Sequence, residues 1–162
     1  GPVMVGINTG HPNALVTEAI KAGRIPEIGG YTGLRREVKY GLNSRVDILL
    51  EEPGKAPCYV EIKNVHLMRV AGLAEFPDSR TERGVKHLGE LAAQVEGGCR
   101  AVMVYLIQRA DAEVFDLAAD IDPAYATAAR AARAAGVEML AYRCRLSPES
   151  IDVDVQVPIR AT

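Results

Sequence analysis

Two acids and one lysine stand on neighbouring predicted strands at a spacing that permits shared chemistry. Asp47 lies in a predicted strand over residues 45–50, and Glu61 and Lys63 lie in the next one, over residues 58–67. Side chains of a strand alternate between its two faces, so Glu61 and Lys63 project together while their apolar neighbours enter the opposite side. Two antiparallel strands then bring all three groups onto one face, close to one another.

Two carboxylates at such short range favour a divalent cation between them, because burying both charges without one is costly. Mg²⁺ or Mn²⁺ takes carboxylate oxygens and leaves positions for water and phosphate. In this scheme Asp47 and Glu61 hold the metal, together with the carbonyl of Ile62. Lys63 orients a water or helps to deprotonate it, and opposes the charge that develops on phosphate. Glu37, on the preceding strand, is a candidate for a second metal or for steering the water.

A Glu-x-Lys triplet on a strand is alternatively only a solvated ladder of charges, so its surroundings matter. The preceding strand carries Asp47 as its only acid, and this acid has the matching orientation. A predicted helix then separates the triplet's strand from the next buried strand. Both features favour a phosphodiester-hydrolysing centre over the charge ladder.

The elements that position these groups follow the order αβββαβ and then αββ. The sequence predicts a strand end at 3–8, a helix over 14–22 with Asn13 as N-cap and Gly23 as its end, strands at 37–40, 45–50 and 58–67, a helix over 81–95 with a Ser79/Glu82 capping box, a strand at 100–108, an alanine-rich helix from Asp122-Pro123 to Gly136, and strands at 137–146 and 151–159. Strands 37–40, 45–50 and 58–67 form a meander, and the apolar run at 100–108 predicts burial on both faces. The pattern indicates an α/β fold.

Composition and charge limit the class of protein further. The chain has 162 residues, which fits one domain, and no apolar run approaches the ~20 residues of a membrane span. The net charge of −2 excludes binding to nucleic acid through bulk positive charge. Any nucleic-acid site must be a local cluster of Arg and Lys, or must use metal ions. Cys58, Cys99 and Cys144 are predicted to be reduced thiols, buried in the fold of a cytoplasmic protein.

Basic residues near the start of the second long helix are candidates for holding a nucleic-acid backbone. Arg83, Lys86 and His87 share one stripe with Glu90, and the helix N-terminus at Thr81 has free N–H groups for a phosphate. The opposite stripe is apolar and predicts the buried side: Val85, Leu88, Ala92 and Val95. The alternative for the basic stripe is a solvated face with a local ion pair to Glu90.

Two further residues are weaker candidates for the site. Arg45 lies two residues before Asp47 on the same strand face, which favours either a phosphate contact or a pair with a carboxylate. Glu18, on the first helix, is a candidate for an additional acid, although a glutamate on a surface helix is usually solvated.

Longer motifs around these residues resemble the sugar fermentation stimulation protein A family. They span residues 33–41, 44–47, 59–65 and 76–88, and the similarity continues through 136–142. The resemblance covers nearly the whole chain. It implies a restriction-endonuclease-like core of the PD-(D/E)xK superfamily, with a C-terminal helix and strands, whose motif maps onto Asp47, Glu61 and Lys63. Family members normally begin with a small β-barrel of the OB type, which this chain lacks. With Gly1-Pro2 at its start, residues 1–162 are therefore expected to be one excised nuclease-like domain.

The function expected from residues and resemblance together is that of a nuclease dependent on Mg²⁺ or Mn²⁺. DNA is the expected substrate, with RNA as the second candidate, and a homodimer is left open. The alternative is a nucleic-acid-binding module that does not cut and acts in transcriptional regulation of sugar metabolism, as the family's name suggests. A structural or protein-interaction domain is a third option. The intact Asp, Glu and Lys favour the enzyme, because a pure binder has no need for a costly acidic pair.

Overall fold

Six strands form a central mixed sheet, with one helix on one face and two helices on the other. The computed structural model describes residues 11–160. Its elements are α1 (Pro12–Lys21), a 3₁₀ turn (Pro26–Ile28), β1 (Gly33–Tyr40), β2 (Ser44–Glu51), β3 (Cys58–Val65), β4 (Leu67–Val70), β5 (Leu73–Phe76), α2 (Glu82–Glu96), β6 (Arg100–Ile107), β7 (Val114–Leu117), α3 (Pro123–Ala134), β8 (Glu138–Leu146) and β9 (Ile151–Gln156). The strand end predicted at residues 3–8 lies outside the described part of the chain.

The central sheet has the strand order β1-β2-β3-β6-β8-β9. Strands β1, β2 and β3 pair antiparallel, which confirms the predicted meander. Strands β3, β6 and β8 run parallel, and β9 returns antiparallel to β8. Helices α2 and α3 make the two connections between the parallel strands, since parallel neighbours need a crossover. The predicted α/β class is confirmed.

Strand β6 lies at the centre of the protein and is buried on both faces, as predicted. Val102, Val104 and Leu106 enter the core beneath α1. Met103 and Tyr105 enter the larger core beneath α2 and α3. The sheet therefore separates two hydrophobic cores. The same alternation of side chains along β3 determines which of them face α2 and which face α1.

A second, three-stranded sheet with the order β4-β5-β7 was not predicted. The strand expected at residues 58–67 ends at Val65, and Leu67 already belongs to β4. Each of these three strands has only four residues, which is too short for a period-two pattern to stand out. The small sheet packs Ala74 and Phe115 into the core beneath α2 and α3.

Both predicted N-caps of the first two long helices are wrong. Helix α1 begins at Pro12 with His11 in the cap position, because proline is favoured at the first helical residue. Asn13 therefore lies inside the helix. Helix α2 is capped by Thr81, whose Oγ1 accepts the N–H of Gly84 at 2.9 Å, rather than by Ser79.

The three cysteines are free thiols, and the prediction of their burial is confirmed for two of them. Cys58 and Cys144 are buried, whereas Cys99 is half-buried. Among the helices between residues 11 and 160, none is both long and apolar enough to cross a lipid bilayer.

Asp122 joins the beginnings of α2 and α3. Its Oδ1 accepts the N–H of Tyr125 at 3.0 Å and caps α3, and its Oδ2 accepts the N–H of Thr81 at 2.8 Å.

We expect Asp122→Ala to lower the free energy of unfolding by about 2 kcal/mol, because the cap and a second, partly buried hydrogen bond are both lost. Urea denaturation measures this. Glu149→Ala, in the exposed turn before β9, is the control and should change it by less than about 0.5 kcal/mol. Equal stability of the two variants would contradict the bridging role.

Candidate active site

Strands β2 and β3 separate where the predicted catalytic residues begin. The last paired residues are Ile48 and Val60, and the next positions along the two strands are Asp47 and Glu61. There the Oδ2 of Asp47 accepts the backbone N–H of Ile62 at 2.7 Å. A side-chain carboxylate thus takes the place of a backbone carbonyl as the acceptor between the strands. The prediction that Asp47 and Glu61 lie close together is confirmed. Both lie where β2 and β3 separate, a point that we call the fork.

Helix α1 reaches this fork through Asn13. The Nδ2 of Asn13 donates to the Oδ1 of Asp47 at 3.1 Å, and Asn13 is only 8% exposed. The sequence does not reveal this contact, because an asparagine near a helix start is typical of an N-cap. The candidate acid of this helix, Glu18, is exposed and does not join the site. The physical reason is rotational, since α1 turns Val16 and Ala19 into the core and leaves Glu18 towards solvent.

Glu61 is the most confined acid of the site. It is 3% exposed, and its Oε2 has no hydrogen-bond partner among the described residues. Burial, followed by a hydrogen bond with Asp47 and the charge of that carboxylate, raises the pKa of Glu61 far above its usual range, although Lys63 and Arg83 oppose the shift. Without a cation, Glu61 therefore keeps a proton beside Asp47 at neutral pH. An orphaned carboxylate oxygen next to a second carboxylate fits a bound cation.

Lys63 faces α2 and contacts His87. The Lys63 Nζ lies 3.1 Å from the His87 Nδ1, and since an ammonium group can only donate, Nδ1 accepts and the ring proton is on Nε2. Burial, followed by the charges of Lys63 and Arg83, lowers the pKa of His87 to about 4. The ring is thus neutral, and its 4.0 Å approach to Glu61 is not an ion pair. Burial also lowers the pKa of Lys63, against the pull of Glu61 and Asp47.

The buried side of α2 is centred differently from the prediction. Leu88 and Leu91 are fully buried, and His87 is 6% exposed. The residues predicted to be buried with Leu88 are half-buried and pack at the border of the core: Val85, Ala92 and Val95. A Cβ at Gly84 would lie 2.8 Å from the Cγ2 of Thr81 and 3.0 Å from the ring of Tyr125, so this glycine permits the close approach of α2 and α3. His87 is therefore inside, whereas Arg83 and Lys86 of the same stripe are exposed.

Glu37 does not join the two central acids. It lies opposite Asp47 in β1, but its φ is +54°, so its backbone leaves the extended conformation and its side chain is exposed. Within residues 11–160, no three His, Cys, Asp or Glu side chains come together as a metal-binding group. The structure therefore does not bring Glu37, the candidate for a second metal or for steering the water, together with the other two acids. Asp47 and Glu61 remain as the acidic pair.

A cleft of about 380 Å³ opens beside Lys63 and His87, between α2 and the hairpin that joins β1 to β2. We call it the basic cleft, and its lining residues are Asn43, Ser44, Arg45, Arg83, Lys86 and His87. Arg45, Arg83 and Lys86 are all exposed there. The structure thus brings together four of the five residues predicted to bind nucleic acid. The imidazole of His87 contributes to the cleft and contacts Lys63 behind it.

Thr81, the fifth predicted nucleic-acid residue, lies elsewhere. Its hydroxyl oxygen accepts the N–H of Gly84, and its own N–H donates to Asp122 at 2.8 Å. It lines a separate cavity together with Arg80 and Pro123. The structure gives Thr81 a capping role, away from the basic cleft.

Comparison with known proteins identifies the family. The family model described as "Sugar fermentation stimulation protein RE domain" matches residues 10–150. The chain belongs to the sugar fermentation stimulation protein family. It is 58% identical over 159 residues to the sugar fermentation stimulation protein homolog of Azorhizobium caulinodans, covering 98% of this chain and 67% of that protein. It is 60% identical over 151 residues to the homolog of Rhodospirillum centenum, covering 93% of this chain and 65% of that protein.

A solved structure of the family is also similar. "The structure of Pyrococcus Furiosus SfsA in complex with Ca2+" superimposes with a TM-score of 0.78 and 27% sequence identity, covering 89% of this chain and 62% of that one. This sugar fermentation stimulation protein domain thus shares the family's fold. It spans about two thirds of the length of the relatives it matches.

The acidic pair predicts a stability penalty in the metal-free protein. Because the folded state raises the pKa of Glu61, its contribution to stability is present below the unfolded-state pKa and is lost as the pH rises towards the folded-state value. We expect Glu61→Gln to be more stable than the parent in EDTA, by about 1 kcal/mol or more at pH 8, and the difference to shrink towards about pH 5. Denaturant titration at several pH values measures it.

Glu18→Gln is the matched control, because Glu18 is an exposed glutamate outside the site. It should leave the stability unchanged at every pH. A Glu61→Gln protein that is less stable than the parent across this range would show that the carboxylate is well accommodated without a cation.

Proposed function

We propose that this domain is a metal-dependent nuclease with a PD-(D/E)xK core, which hydrolyses phosphodiester bonds of DNA, with RNA as the second candidate substrate. One observation carries the proposal. The half-buried Asp47 and the buried Glu61, which has an oxygen without a hydrogen-bond partner among residues 11–160, lie beside Lys63. His87, which contacts Lys63, lines a cleft together with three cations. The order of α1, the meander, α2 and β6 supports the core type, because it repeats the αβββαβ order expected from the motif, with the small sheet inserted.

The residues present fit a divalent metal ion. Asp47 and Glu61 would hold Mg²⁺ or Mn²⁺, and the carbonyl of Ile62 is the third predicted ligand. The structure of Pyrococcus furiosus SfsA contains Ca²⁺, an ion that takes oxygen ligands as Mg²⁺ does, which supports a divalent-cation site in this family. When bound, the metal supplies positive charge against the phosphoryl group and lowers the pKa of a water.

The protein's own side chains supply orientation and proton transfer. Asn13 and the N–H of Ile62 each bind one oxygen of Asp47 and so fix the direction of its carboxylate. Because burial lowers its pKa, Lys63 is the candidate to release its proton to solvent and then, as a neutral amine held by His87 at 3.1 Å, to accept a proton from the attacking water. Oriented groups of this kind need little rearrangement when charge develops on the phosphate.

The basic cleft provides the binding surface for the nucleic-acid backbone. Arg45, Arg83 and Lys86 reach it from two elements, the hairpin and α2. Cations from separate elements around one concave site suit a phosphate group, which accepts hydrogen bonds on several sides. This local cluster meets the requirement set by a net charge of −2 for the whole chain.

Metal binding gives the first test of this function. Isothermal titration with Mn²⁺ should show one or more sites on the parent chain, and Asp47→Asn should abolish the tightest, because the neutral amide loses the charge that holds the ion. Glu18→Gln is the control and should titrate as the parent does. Equal affinity of Asp47→Asn and the parent would remove Asp47 from the ligand set.

Cleavage gives the second test. The parent chain, incubated with single-stranded and duplex DNA and with RNA, should cut in Mg²⁺ or Mn²⁺, and Lys63→Ala should slow cleavage by at least ~100-fold while still binding metal. Lys21→Ala, at the exposed end of α1, is the control and should cut at the parent rate. If Lys63→Ala cuts as fast as the parent, Lys63 is only a structural charge.

The same assay separates the nuclease from the binding module. The relatives are named for stimulation of sugar fermentation, which suits a protein that binds nucleic acid in regulation without cutting it. A parent chain that binds DNA but never cuts it with either metal would favour that module.

A further inference from the structure

The hairpin between β1 and β2 presents a leucine to solvent at its tip. Leu42 is 81% exposed, the highest value among the large apolar side chains of residues 11–160, ahead of Val70 at 61% and Val155 at 41%. A single exposed apolar side chain is ordinary by itself. What distinguishes Leu42 is how its backbone is held and what surrounds it.

The backbone on both sides of Leu42 is fixed to α2. The Lys86 Nζ donates to the carbonyl oxygen of Leu42 at 3.0 Å, and the Ser44 Oγ donates to the Glu90 Oε1 at 2.6 Å. Gly41, with φ +58°, packs so closely against the carboxylate of Glu90 that any side chain there would collide with it. Polar groups of α2 thus hold the turn in place, while most of the Leu42 side chain is left uncovered by residues 11–160.

The fixed tip borders the basic cleft. Asn43 and Ser44, the next two residues after Leu42, line the cleft together with Arg45 and with three residues of α2: Arg83, Lys86 and His87. An apolar side chain therefore stands beside a group of cations. A nucleotide has the matching chemistry, because its phosphate suits the cations and the adjoining base offers an apolar face.

We propose that Leu42 packs against a nucleobase of a strand whose phosphate lies in the basic cleft. This deepens the proposed nuclease function and rests on it. Apolar side chains that enter nucleic acid do so between bases and unstack them, so the substrate class is single-stranded DNA or a duplex opened at that step. Leu42 is then a residue that determines which nucleic-acid structure the domain accepts. It is separate from the acidic pair and Lys63.

The surroundings of Leu42 do not suit a protein partner. An interface core needs a contiguous apolar surface of several hundred Å². The residues around the tip are instead polar or charged, as the lining of the basic cleft shows.

The test compares binding of base-bearing and base-free strands, with Ca²⁺ in place of Mg²⁺ or Mn²⁺. We expect Leu42→Ala to weaken binding of a single-stranded oligonucleotide by about tenfold, the effect of losing a largely buried leucine contact. Affinity for an abasic strand of the same length should not change, because that strand offers only phosphates and sugars. Arg83→Ala should weaken both. Val70→Ala removes another exposed apolar side chain, in the small sheet, and is the matched control. It should change the affinity for neither strand.

A spectroscopic readout accompanies the affinities. An oligonucleotide with 2-aminopurine placed at successive positions should brighten at one position on binding the parent, as that base leaves its stack, and should not brighten with Leu42→Ala. Equal affinity of Leu42→Ala and the parent for the oligonucleotide would overturn the inference, as would an equal loss on the abasic strand.

These outcomes are distinct from failure of the nuclease proposal. A parent that cuts DNA while Leu42→Ala binds like the parent contradicts the base contact alone. A parent that never cuts, but binds the oligonucleotide tenfold better than Leu42→Ala does, contradicts the nuclease and supports the contact. A parent that binds neither strand contradicts both.

Discussion

The carboxylate of Asp47 acts as a hydrogen-bond acceptor between two strands, and the site depends on this bond. By accepting the N–H of Ile62, it satisfies a backbone donor that the separating strands would otherwise leave unpaired. The fork can therefore exist without a buried orphan N–H. It leaves Glu61 and Lys63 without partner residues on β2, while β3 stays paired with β6 along its whole length. The proposed metal ligand and the structural acceptor are here the same group, so replacement of Asp47 would affect both roles.

The neighbours of Asp47 show how the fold tolerates buried charge. Glu61 carries an oxygen that has no hydrogen-bond partner within residues 11–160, and its pKa is raised by burial and by the neighbouring carboxylate of Asp47. His87 stays neutral and accepts from Lys63, so the lysine is oriented without adding another cation to the cluster. Under the proposed function, a bound cation would offset the repulsion between the two carboxylates, as expected where stability and function compete.

The charged residues around the basic cleft have two different roles: some hold the hairpin in place, and others lie at the surface of the cleft. Lys86 holds the hairpin through the carbonyl of Leu42, and Glu90 holds it through Ser44. Arg45 and Arg83 remain at the cleft surface. The net charge of the chain is slightly negative, so the positive charge at the cleft comes from the placement of these residues and not from composition.

The sequence by itself determined the α/β class, the meander and the grouping of the Asp/Glu/Lys centre, because strand alternation and turn residues are local properties of the chain. It also indicated the cations of α2 from their helical spacing. Only the tertiary structure decided how each helix is rotated about its own axis, and therefore which side chains it directs into the core. Rotation of α1 places Asn13 at the site and Glu18 in solvent, and rotation of α2 buries His87. Strand pairing alone places Glu37 opposite Asp47, but the left-handed backbone conformation of Glu37 leaves its side chain exposed and outside the site. These outcomes depend on packing between distant segments, which no local pattern encodes.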